Sequence, residues 1–131
     1  MGFTRYWTRT TKPITEEFIE EVNEILKDCA RKGIAIRDYD GIRKPTVSLE
    51  CVAFNGNGKE GLNHESFVID NNESDFEFCK TARKPYDYAV REVLKLAEKE
   101  GLVFNVSCDY PSNDKIYSDE EYILGYVNLE D

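Results

Sequence analysis

Lys80, Arg83 and Lys84 place three cations within five residues, inside the stretch Phe76 to Asp87, FEFCKTARKPYD. A short alternating strand runs into this turn, and Pro85 and Asp87 suit the first turn of a helix. A strand that passes through a basic turn into a helix N-terminus brings together N–H donors, a positive dipole end and cationic side chains. That combination can hold a phosphate or carboxylate, and Lys80, Thr81, Arg83 and Lys84 are the residues expected to hold it. The same run also reads as a surface turn whose cations offset an acidic chain, with Lys80 or Arg83 pairing with Glu77 or Asp87.

His64 is the one histidine of the chain and stands beside Glu65 where another strand begins. An imidazole titrates near neutrality, so it can act as a general base when a carboxylate such as Glu65 or Asp87 orients it. Adjacent strand residues point to opposite faces, which makes Glu65 a poor direct partner for its neighbour. A polar residue fixing the loop is the other reading. The HE pair lacks the second histidine of a zincin helix. Cys29, Cys51, Cys79 and Cys108 are widely spaced with no CxxC pair, so no metal and no cofactor is expected. Asn55 to Asn63, NGNGKEGLN, has the glycines of a flexible hairpin loop or of a close backbone approach to a ligand, but not the GK[ST] of a P-loop.

A net charge of −9 over 131 residues repels long nucleic acids and anionic membranes. A small anion is still tolerated, because screening confines each field to roughly 10 Å. The cysteines fall at apolar positions of the expected helices and strands, as small buried hydrophobes of a reducing cytosol do. Neither a signal peptide nor an apolar run of membrane length is visible, so a cytoplasmic protein is expected.

The elements that must position these residues follow from periodicity. Phe3 to Thr10 alternates as a first strand, with Arg5, Trp7 and Arg9 on one face that is either solvated or lines a pocket. Thr15 caps a helix with the stripe Phe18, Val22, Ile25, Leu26 and Cys29, stopped by Gly33. Ile34 to Arg37 is a short strand or link, and Asp38 to Pro45 a turn. Thr46 to Phe54 reads as one strand burying Val47, Leu49, Cys51 and Ala53, and Phe67 to Ile69 as another. Phe76 and Phe78 are assigned to the core. A second helix carries Tyr86, Ala89, Val90, Val93, Leu96 and Ala97, stops at Gly101 and leads into a core strand over Leu102 to Cys108 that alternates Leu102, Phe104, Val106 and Cys108. The acidic, Tyr-rich extension 110–131 could pack down through Tyr122, Ile123, Tyr126 and Val127. The sum is one α+β domain spanning 1–131: a mostly antiparallel sheet of about five strands, with two amphipathic helices on one face. Its open face, holding Arg5, Trp7, Arg9 or their partners, would favour a homodimer or higher homo-oligomer.

GFTRYW, FNG followed by HESF, and FCKTARKPYD together resemble a family of small, largely uncharacterised phage and bacterial proteins. The resemblance spans most of the first hundred residues and implies no reaction mechanism. It implies a counter-defence protein sequestering a nucleotide signal in the host cytoplasm. On that expectation the protein binds a small anionic, nucleotide-like ligand without turning it over. Lys80, Thr81, Arg83 and Lys84 hold phosphate, Tyr86, Trp7 or Tyr6 stacks a base, and Arg5 and His64 close the site. The alternatives are a protein–protein interaction module and a small nucleotide hydrolase using His64.

Overall fold

The structure, a computed structural model, describes residues 2–109; the expected packing of Tyr122 to Val127 lies outside them. The chain forms β1 (Thr4–Arg9), α1 (Glu16–Arg31), β2 (Thr46–Val47), β3 (Cys51–Phe54), a 3-10 turn (Gly58–Glu60), β4 (Phe67–Asp70), β5 (Ser74–Lys80), α2 (Asp87–Lys99) and β6 (Val103–Cys108). The class is α+β. Its strands make two three-stranded antiparallel sheets, ordered β5-β1-β6 and β2-β3-β4, where a single sheet of about five strands was expected.

Local signals set the helices. The Thr15 hydroxyl accepts from the Phe18 amide at 3.1 Å, and Glu16 and Glu17 follow in the first turn of α1. Gly33 and Gly101 stop the helices in the left-handed region, at φ +83° and +78°. The stripe residues Phe18, Val22, Cys29, Ala89, Val90, Val93 and Ala97 are buried in one core. That core also joins the two sheets, with the Trp7 and Phe67 rings 5.2 Å apart.

Three strand readings need correction. Thr46 to Phe54 is a hairpin, because Ser48 accepts from the amides of Glu50 and Cys51 and reverses the chain. Leu49 then sits exposed at the tip, while Val52 and Phe54 are buried. On β1, Arg5, Trp7 and Arg9 face the core, and the open face carries Tyr6 and Thr8. Tyr6 pairs in register with Phe78, which carries Phe78 and Phe76 outward, at 43% and 61% exposure. On β6 the register slips between Tyr6 and Thr8, with Asn105 at φ +53°, so that Val103 turns in and Phe104 turns out. An open aromatic face therefore exists, but with different residues on it.

Candidate functional site

Three stretches distant in sequence converge at one corner. Asp87, at the start of α2, is fully buried, and Arg5 grips it bidentately, Nε to Oδ1 and Nη2 to Oδ2, both at 2.8 Å. The Thr81 hydroxyl donates to the same carboxylate at 2.7 Å. The amides of Thr81 and Ala82 donate to the Phe3 carbonyl, and the Arg83 amide to the Thr81 hydroxyl. Ala82 and Arg83 both take positive φ, 53° and 56°, a strain that these bonds hold in place. The anion at this helix N-terminus is thus the protein's own Asp87.

The histidine loop docks on the same corner. Asn55 brackets His64, its Nδ2 donating to the His64 carbonyl at 2.8 Å and its Oδ1 accepting from the His64 amide at 3.0 Å. The His64 ring places Nδ1 at 2.6 Å from the Lys80 carbonyl. A carbonyl only accepts, so Nδ1 carries the proton in this contact, and in the neutral ring Nε2 would present a lone pair from an exposed side chain. Glu65 Oε1 accepts from the Lys80 amide, and the Tyr86 hydroxyl donates to the Glu65 carbonyl. Both carboxylates expected to orient His64 are therefore committed elsewhere, Glu65 to Lys80 and Asp87 to Arg5. Gly56 is required here, since a Cβ would lie 2.0 Å from the Leu62 carbonyl oxygen.

Of the residues expected to bind a ligand, Arg5 and Thr81 hold Asp87 inside the fold. Trp7 and Tyr86 are buried, at 3% and 0% exposure, so neither offers a ring face for stacking. Burial pushes the Tyr86 hydroxyl far above the ordinary tyrosine range. His64 and Lys80 are exposed, and Arg83 and Lys84 half-buried. The Lys80 ammonium lies 5.8 Å from the Phe78 ring, and the Arg83 guanidinium 4.6 Å from the Phe3 ring, which Arg5 also approaches, at 5.1 Å.

A second candidate lies along α1. Gly33 turns the chain so that Ile34 to Arg37 runs back beside the helix, anchored by the Ile34 amide on the Cys29 carbonyl and by paired bonds between Arg37 and Asn55. Between this segment and α1 is an open groove of about 690 Å³, within the range of small-molecule sites. Its floor includes Leu26, Ala30, Ile34, Ile36 and Pro45, and its polar lining is Asn23, Lys27 and Arg37. Both charged lining residues are cations, in a chain of net charge −9. An ion pair there among the described residues, Lys27 with Glu24 at 3.3 Å, is exposed and weak. Sequence reasoning missed this groove. Its only signal was an apolar IAIR run straight after a glycine stop, which shows neither the reversal nor the helix beside it.

No group of three or more His, Cys, Asp or Glu side chains among the described residues is placed to hold a metal ion. None of the described helices is long and apolar enough to cross a membrane. No protein-family model, curated protein or solved structure matches the chain. Fold and geometry define an α+β domain with an internally neutralised helix N-terminus and a separate cation-rimmed apolar groove.

Proposed function

We propose that this protein is a non-catalytic binding protein for a small anionic ligand with a planar or apolar body, the nucleotide-like class, held in the groove along α1. The observation that carries this is the charge of the groove: an apolar floor whose charged lining residues, Lys27 and Arg37, are both cations. Such a site can hold a flat body against Ile34, Ile36 and Pro45 while two cations meet its phosphate or carboxylate. A reducing cytoplasm suits the protein, since none of Cys29, Cys51, Cys79 and Cys108 forms a disulfide. The test is mass spectrometry of small molecules released on denaturation, followed by calorimetric titration with the anion found. The expected result is a ligand recovered unchanged, whose affinity falls when Lys27 and Arg37 are replaced by Glu. A recovered ligand whose affinity ignores both changes places the site elsewhere, and turnover of the ligand ends the non-catalytic reading.

One observation favours a second reading, that of an interaction module. Tyr6, Phe76 and Phe78 form a continuous outward cluster, with successive ring centroids 5.8 Å apart, and Phe104 is 48% exposed on the same sheet. Exposed aromatic patches of this kind mark contact surfaces, and here a second copy of the chain is the proposed partner. Sedimentation of the wild type against Phe76→Ser tests it, with a monomeric wild type counting against it.

A further inference from the structure

The cations of this acidic chain are concentrated in one stretch. Lys27, Arg31, Lys32, Arg37, Arg43 and Lys44 fall within residues 27–44, against the carboxylates Asp28, Asp38 and Asp40. That stretch supplies both cations of the groove along α1, Lys27 and Arg37. Asp38 is turned inward, its Oδ1 accepting from the amides of Asp40, Ile42 and Arg43. This clamp fixes the loop that joins the groove residues Arg37 and Pro45. The loop exposes Tyr39 and Ile42, at 66% and 56%, together with Arg43 and Lys44. The groove is therefore bordered by a loop of its own chemistry, apolar side chains beside cations.

The matching charge lies in the same chain. Residues 110–131 carry Asp114, Asp119, Glu120, Glu121, Glu130 and Asp131 against Lys115, and set Tyr122, Ile123, Tyr126 and Val127 among them. A groove with cations on its rim and an apolar floor is complementary to such a segment. The chain also leaves the described fold close enough to reach it. The Asp109 amide donates to the Thr4 carbonyl, and Thr4 pairs with Lys80. The Lys80 carbonyl meets the His64 ring, Asn55 brackets His64, and Arg37 pairs with Asn55. Five such contacts, at roughly 6 Å each, put Arg37 within about 30 Å of Asp109. Asp119 follows Asp109 by ten residues, a length that spans about 33 Å when extended.

We propose that residues 110–131 dock in the groove along α1 as an internal competitor for its anionic ligand. The carboxylates of Asp119, Glu120 and Glu121 meet Lys27 and Arg37, and Tyr122 and Ile123 lie on Leu26, Ile34, Ile36 and Pro45. The competitor role rests on the groove being a site for anions. A tethered segment acts at an effective concentration of about 1 mM, so a contact with a Kd of about 0.1 mM weakens an external anion about tenfold. The segment thereby sets a threshold below which anions are kept out of the groove.

The test compares amide spectra and titrations with adenosine monophosphate for the full chain in three forms: wild type, Glu120→Lys with Glu121→Lys, and Tyr122→Ser with Ile123→Ser. All four changes lie outside the described fold. Both variants are expected to shift the amides of Lys27, Ala30, Ile34 and Ile36, and to bind the nucleotide about tenfold more tightly than the wild type. The serine variant keeps the net charge, so its effect cannot come from the long-range field. Groove amides that stay in place in the serine variant overturn the proposal, as do shifts at Tyr6, Phe76 and Phe78 instead. Cross-relaxation between the groove methyls and Tyr122 that arises only between differently labelled chains also overturns it, by giving the segment to a second copy. Equal nucleotide affinity in all three forms, lost on Lys27→Glu, overturns the competitor alone and leaves the anion site standing. Nucleotide that binds none of the three counts against the anion site, while the amide shifts still decide whether the segment docks.

Discussion

The turn at Lys80–Asp87 and the groove beside α1 are both cationic places in an acidic chain, and they differ in where the matching anion lies. At the turn the anion is internal: Arg5 and Thr81 enclose Asp87 at the start of α2, with no exposure left. At the groove, Lys27 and Arg37 line a cavity whose lining includes no carboxylate among the described residues, and the Glu24 that meets Lys27 is itself exposed. Cation density alone does not distinguish the two. What does is whether the compensating carboxylate comes from the same fold, since a charge paired and buried is unavailable to a ligand.

Breaking the turn should have the largest effect. Asp87→Ala leaves Arg5 buried without its carboxylate, and denaturant unfolding is expected to show a loss of about 3–5 kcal/mol. Replacing Arg5 by Met in the same chain should recover much of that loss, because the pair is then removed whole. A double variant as unstable as Asp87→Ala alone would show that Arg5 does more than neutralise Asp87.

Alkali tests the packing beneath both regions. Burial raises the Cys29 thiol, under the end of α1 that borders the groove, from 9.0 to about 12. Cys79 and Tyr86, beneath the turn, are pushed up by burial as well. A folded value above the unfolded one gives stability that is full below about pH 9 and lost as pH rises toward 12. Melting temperatures recorded across that window should fall steadily. A flat profile would mean that these groups are hydrated in solution.

At the groove, Lys27→Glu with Arg37→Glu should lower ligand affinity about tenfold, near 1.4 kcal/mol, with stability changed by less than about 1 kcal/mol. Removing the hydroxyl in Tyr86→Phe, which bonds the Glu65 carbonyl, should cost about 1 kcal/mol by thermal unfolding and leave affinity unchanged. The smallest effect is expected from Lys80→Ala with Lys84→Ala, which should shift ligand affinity less than about threefold. Loss of binding in that variant would reverse the comparison and put the ligand at the turn.

The amino-acid sequence by itself determined the helices, their stops and the α+β class. Thr15, Gly33 and Gly101 act through bonds and dihedrals within a few residues, and the helical stripes repeat regardless of what they pack against. The convergence of GFTRYW, FNG…HESF and FCKTARKPYD residues at one corner was partly legible too, since they were grouped as one candidate site. Only the tertiary structure decided which face of each strand is buried. Strand alternation has a period of two, so a turn at Ser48 or a bulge at Asn105 moves later residues between core and solvent. That is why Phe76, Phe78 and Phe104 lie outside while Arg5, Trp7 and Arg9 lie within. Long-range pairing likewise decided that Arg5 belongs to Asp87, 82 positions away. No local pattern encodes a partner at that distance. The groove along α1 exists only because a chain reversal at Gly33 lays Ile34 to Arg37 beside a helix already complete.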